Sequence, residues 1–94
     1  MILRLVKMEF RPEETSNFLA YFETIKDKIQ AMPGIMRLNL YQDGRDENII
    51  FTHSLWVNES YLNNYRHSEL FSEVWPKTKQ LFASKAAAWS LNLK

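Results

Sequence analysis

Residues 50–71, IFTHSLWVNESYLNNYRHSELF, constrain the fold more tightly than any other stretch of this chain. An apolar strand pattern runs into Trp56. Asn58 then offers a side-chain cap for a helix, and Ser68 offers a second cap three residues before Phe71. Asparagine and serine at these positions accept hydrogen bonds from the free amides of a first helical turn, so the stretch is read as strand, short helix, second helix.

The rest of the pattern follows the same rules. Residues 2–10 are expected to form a strand with Ile2, Val6, Met8 and Phe10 on one face and Leu3 and Leu5 on the other. Pro12, Glu13 and Glu14 suit a helix first turn. From there the recurrence of Phe18, Phe22, Ile25, Ile29 and Met32 at spacings of three and four predicts a helix to about Met32, ended by Pro33-Gly34. A second strand is expected over residues 35–42, with Met36, Leu38 and Leu40 alternating against Arg37, Asn39 and Tyr41. The polar turn DGRDEN leads into a third strand over residues 49–57. A helix over residues 59–66, another from Ser68 to about Ser84 kinked at Pro76, and a last strand over residues 86–93 complete the order. This is the βαββαβ split pattern, an α+β ferredoxin-like fold with helices on one face of a four-stranded antiparallel sheet.

Ninety-four residues allow one domain, taken as residues 1–94, and a chain this short often gains part of its stability from a partner. The third strand is apolar on both faces: Ile49, Phe51, Leu55 and Val57 on one, Ile50 and Trp56 on the other. Helices can cover only one of these. The other would expose a patch larger than monomers usually carry, so a homodimer packed sheet against sheet is expected. Cysteine is absent, which removes disulfides, thiolate chemistry and cysteine-based zinc sites. With 12 basic and 11 acidic residues the chain has no field to attract nucleic acid. No apolar run reaches membrane-spanning length, and Arg4, Lys7 and Glu9 come too early for a signal-peptide core, so a cytoplasmic location is expected.

The order of elements and the spacing from Trp56 to Phe71 resemble the antibiotic biosynthesis monooxygenase superfamily, a dimeric α/β-barrel group. The family pattern places a tryptophan at the end of the third strand, then a capped helix, then a motif similar to His-x-x-Ser-x-His-Phe. Here that motif reads Tyr65-Arg66-His67-Ser68-Glu69-Leu70-Phe71. Pro33-Gly34 matches the family's break before its second strand. The resemblance implies a monooxygenase-like protein that needs no cofactor and oxidises an aromatic substrate, the electron-rich substrate itself reducing oxygen. It also implies that Trp56 lines a pocket between sheet and helices. Thr52 stands where such members carry an asparagine, and Tyr65 and Leu70 replace the two histidines. A haem-degrading branch of the family uses an axial histidine where this chain has Trp75 and an asparagine that its first strand lacks, so haem is not expected.

The candidate catalytic residues are therefore Trp56, Tyr65 and Thr52, with Ser54, Phe22 and Phe71 as substrate contacts. Thr52 and Ser54 share the face of Trp56 by strand alternation, and buried hydroxyls need partners, which a ligand, a water or the backbone can supply. Tyr65 can donate its phenol proton to a developing oxyanion, or simply pack its ring in the core. His53 falls on the opposite face and is read as an interface residue. His67 lies between two helices. Two histidines on separate elements make no metal site. Arg4, Arg37 and Asn39 are polar strand residues that pair across the sheet or at the dimer interface, with a phosphate or carboxylate clamp as the lesser alternative. The alternative to an enzyme is a homodimeric, non-catalytic binder of a small hydrophobic ligand.

Overall fold

The computed structural model describes residues 1–94 and contains β1 (Ile2–Glu9), α1 (Thr15–Gln30), β2 (Ile35–Gln42), β3 (Ile49–Trp56), α2 (Glu59–Arg66), α3 (Glu69–Lys79) and β4 (Ala87–Asn92). The strands form one antiparallel sheet in the order β2-β3-β1-β4. This is the ferredoxin-like arrangement expected from the sequence. None of the helices is long and apolar enough to cross a membrane.

The two central strands pair from Ile2 opposite Trp56 to Glu9 opposite Ile49. That register sorts their side chains. Ile2, Met8, Ile50, Ser54 and Trp56 are buried beneath the helices. Leu3, Leu5, Phe51, His53 and Leu55 alternate with them and occupy the other face. In α1 the expected stripe is buried through Phe18, Phe22, Ile25 and Ile29. Phe10, Phe18 and Phe22 pack with Met8 and Ile50 into the largest core cluster.

Both predicted caps form. The Asn58 side chain accepts from the Tyr61 amide at 3.2 Å, and Ser68 Oγ accepts from the Phe71 amide at 3.1 Å. Three helix boundaries and the alternation within one strand differ from the sequence reading. Helix α1 starts at Thr15 because the Glu14 amide bonds the Arg11 carbonyl at 2.8 Å and closes a turn first. It ends at Gln30, before Met32. Helix α3 runs through Pro76 and stops at Lys79, so Leu81 and Phe82 lie beyond it. There the Arg11 guanidinium donates to the Gln80 carbonyl at 2.9 Å and the Phe82 carbonyl at 3.2 Å, and Phe82 bridges to Phe10. In β2 an irregularity between Ile35 and Arg37 shifts the alternation, so Ile35 rather than Met36 packs on Trp56, and Met36 is exposed.

Gly34 fixes the α1–β2 connection. Its φ is +85°, and a Cβ there would fall 2.1 Å from Cγ of Tyr61, whose ring covers the glycine. Both the backbone angle and the packing require glycine. Gly34→Ala is expected to destabilise the fold by about 2 kcal/mol, measured by chemical denaturation. Combining it with Tyr61→Gly is expected to cost less than the sum of the two single changes, because the second removes both the ring and the Cβ that the added methyl would meet.

Candidate functional site

Between the sheet and the helices lies a cavity of about 260 Å³. Its volume lies just below the range of about 300 to 1,000 Å³ usual for ligand sites. The sheet contributes Arg4, Val6 and Met8 from β1, Thr52, Ser54 and Trp56 from β3, Leu38 from β2 and Ala88 from β4, with Ala86 just before that strand. The helices contribute Phe18, Phe22, Tyr65, Phe71 and Trp75 among others. All six residues singled out from the sequence (Trp56, Tyr65, Thr52, Ser54, Phe22 and Phe71) border this one space.

Its walls are mostly aromatic. Trp56 is fully buried and stacks on Tyr65 with ring centroids 5.3 Å apart. Tyr65 meets Phe71 edge-on at 5.3 Å, and Phe71 stacks on Trp75 at 5.8 Å. The helix caps create this line. Asn58 starts α2 so that Tyr65 arrives over Trp56, and the break at Ser68 turns the chain so that Phe71 and Trp75 continue along the cavity.

The two hydroxyls of β3 have different roles. Ser54 Oγ accepts the indole Nε1–H of Trp56 at 2.9 Å, so it locks the ring in place as well as bordering the cavity. Sequence reading grouped Ser54 with Thr52 as ligand contacts, because alternation reports a shared face and not that serine and tryptophan two residues apart can bond each other. Neither the Thr52 hydroxyl nor the Tyr65 phenol is engaged by a hydrogen bond within the chain, and both border the cavity. Burial, and secondarily the neighbouring Tyr21 phenol, pushes Tyr65 up to about 12. At neutral pH Tyr65 is therefore a hydrogen-bond donor and not a base.

The residues missed as site members are Arg4 and Arg66, both of which border the cavity. The sequence offered Arg4 as a strand residue with an anion clamp as one of its readings, grouped with Arg37 and Asn39, which do not border the cavity. Arg66 ends α2, and nothing in its local sequence separates it from a solvated helix end. The histidines lie elsewhere. His53 is on the sheet face away from the helices, edge-on to Tyr41 at 5.9 Å, with Nδ1 buried and unpartnered. His67 caps α2, with Nδ1 2.8 Å from the Asn63 carbonyl oxygen.

The sequence profile described as antibiotic biosynthesis monooxygenase matches residues 1–75. The chain belongs to this family. No curated protein sequence matches it. Among solved structures, one described as an antibiotic biosynthesis monooxygenase superposes with a TM-score of 0.92 at 15% identity, covering 100% of this chain and 99% of the other. A conserved protein from Methanosarcina mazei Go1 gives 0.93 at 19% identity, over 100% and 94%. A Mycobacterium tuberculosis protein gives 0.90 at 15% identity, over 99% and 94%. At these identities the superpositions establish the fold. They extend past the matched profile to β4 and so include the Ala88 wall of the cavity.

The Tyr65 position makes a pH prediction with a definite sign. Below pH 10 the phenol is neutral in folded and unfolded chains alike. Above it the unfolded chain ionises first, so stability is lost as pH rises from 10 toward the folded value of about 12. Urea unfolding at pH 9 and pH 11.5 is expected to show Tyr65→Phe losing about 2 kcal/mol less than the parent protein over this interval.

Proposed function

We propose that this family member acts as a cofactor-independent, monooxygenase-like protein on a small aromatic or hydrophobic substrate held in the cavity. The observation that carries the reading is the pair of unengaged donors, Thr52 and Tyr65, on the walls of an aromatic-lined space that the fold leaves open. A planar substrate fits against the Trp56–Tyr65–Phe71 surface, and the two hydroxyls orient its oxygen substituents. A protonated Tyr65 stabilises negative charge developing on a substrate oxygen. The balanced reaction takes a methylene-bearing or hydroquinone-type ring and molecular oxygen. One oxygen atom enters the product, the other leaves as water, and the substrate supplies all four electrons. Trp56 and Phe22 exclude water and place the ring.

Aerobic incubation with a panel of anthrones and hydroquinones is expected to give turnover above the background oxidation rate. Trp56→Phe or Thr52→Val is expected to lower it by roughly tenfold without unfolding the protein. One feature favours the second reading, a non-catalytic binder: the residues around the cavity include no histidine, aspartate or glutamate that could take a proton from the substrate. Saturable quenching of tryptophan emission with no product from any member of the panel would establish that reading instead.

We also propose that the functional unit is a homodimer formed through the open sheet face. The support is the apolar surface that the helices leave uncovered. Tyr41 is 53% exposed, Trp89 44% and Leu91 45%, and they flank the half-buried Leu3, Leu5, Phe51 and Leu55. Leu5 is central, opposite both His53 and Trp89. Sedimentation equilibrium is expected to give twice the 11.2 kDa chain mass, and Leu5→Glu to return a single chain. A parent protein that sediments at the mass of one chain at all concentrations contradicts the dimer.

A further inference from the structure

The cavity is apolar along most of its length and cationic at one end. Arg4 occupies an inward position of β1 between the apolar rows of Ile2 and Val6, opposite Ser54 on one side and Ser90 on the other. One of its guanidinium nitrogens, Nη1, donates to Ser90 Oγ at 2.9 Å. Other donors of its planar fork are left without a protein acceptor. Arg66 reaches the same cavity from the end of α2. Neither arginine has a carboxylate partner: the ion pairs of the chain are Arg11–Glu13 and Lys26–Glu23, both on the surface. Desolvation, and secondarily the charge of Arg66, lowers the pKa of Arg4. Two like charges thus border an apolar space with no protein counter-charge, both still reached by solvent, and an anion entering the cavity would meet both.

Each arginine also has a simpler use. Arg66 stands in the last turn of α2, where a cation favours the helix dipole. That accounts for Arg66 alone. Arg4 is at no helix end, and its stem could cover apolar surface equally well with the head turned out to solvent. Its bond to Ser90, made at the solvent-exposed edge of the sheet, fixes the head where it borders the cavity.

We propose that Arg4 and Arg66 form an anion subsite that takes the carboxylate of a small hydrophobic acid, whose body lies along the aromatic wall toward Trp75. This rests on the reading of the cavity as a ligand site and narrows its ligand class. A carboxylate fits better than a phosphate ester. A guanidinium fork pairs with two oxygens of either group, and the carboxylate brings the smaller charge to be desolvated beside an apolar wall. Phosphate sites typically gather backbone amides at a helix N-terminus, whereas α2 presents its C-terminal, partially negative end beside Arg66. The volume of about 260 Å³ suits a body of one or two rings.

The test is a ¹⁵N NMR titration of the full chain with 2-naphthoate, its neutral isostere 2-naphthamide, and 2-naphthyl phosphate. Naphthoate is expected to bind at least tenfold more tightly than naphthamide, shifting amides of β1, β3 and α2. Arg4→Gln and Arg66→Gln are each expected to weaken naphthoate roughly tenfold while leaving naphthamide within twofold. Arg66 is on an exposed helix end, so its variant keeps the test available even where Arg4→Gln fails to fold. Equal binding of naphthoate and naphthamide at the cavity would overturn the anion subsite and leave the cavity reading standing. No shift of cavity amides with any probe up to millimolar concentration would overturn both. A tenfold preference for the naphthyl phosphate over naphthoate would overturn the carboxylate assignment in favour of a phosphate monoester.

Discussion

The antiparallel pairing of β1 with β3 is the contact on which everything else depends. Their register sets Ile2 beside Trp56, Arg4 beside Ser54, Val6 beside Thr52 and Met8 beside Ile50, so one face carries both the core and the cavity-facing groups. The same register puts Leu3, Leu5, Phe51 and Leu55 together on the other face. Because side-chain direction alternates strictly along a strand, a slip of one residue would exchange the two surfaces completely. The cavity and the proposed dimer surface are therefore two consequences of one pairing.

Cavity shape then depends on how residue sizes are distributed across the sheet. Along the row through Val6, the neighbours are Thr52 on β3 and Ala88 on β4, both small. At the end of the strands the row through Ile2 holds Trp56 and Ile35, which fill the space against Leu62 and Tyr65. At the opposite end Met8 and Ile50 pack against Phe10, Phe18 and Phe22. Two packed ends with small residues between them leave an opening in the middle. The indole–Ser54 bond keeps Trp56 from rotating into that opening, since moving the ring would strand a buried N–H.

Much of this was readable from local chemistry. Asn58, Ser68 and Pro33-Gly34 act on their immediate neighbours, and the elements they delimit lie close to where those residues imply. Strand alternation placed Thr52, Ser54 and Trp56 on one surface for the same reason. The features that escaped depend on distant partners or on local irregularity. The early stop of α3 follows from Arg11, far away in sequence, holding the Gln80 and Phe82 carbonyls. The inward turn of Ile35 in place of Met36 follows from a shift in β2 pairing that alternation cannot anticipate. Arg66 joins the cavity only because α2 crosses the sheet where it does. Neither the size of the cavity nor the absence of a counter-charge for Arg4 has any signature in the order of residues.

The character of the polar groups limits the chemistry that the chain itself supplies. Ser54 is occupied by Trp56, Thr52 is a weak acid, Tyr65 is held protonated, and Arg4 and Arg66 are cations. Facing a ligand, the strong groups of this set donate hydrogen bonds and positive potential, and none of them accepts a proton at neutral pH. Such a set stabilises negative charge on a bound molecule without creating it. A substrate that reacts here must therefore arrive as an anion or ionise readily once bound, its electrons coming from its own ring. For the proposed oxidation, that requirement matches the donor-only lining to an acidic, electron-rich aromatic substrate, whereas simple retention asks only for a negative or hydrogen-bond-accepting group.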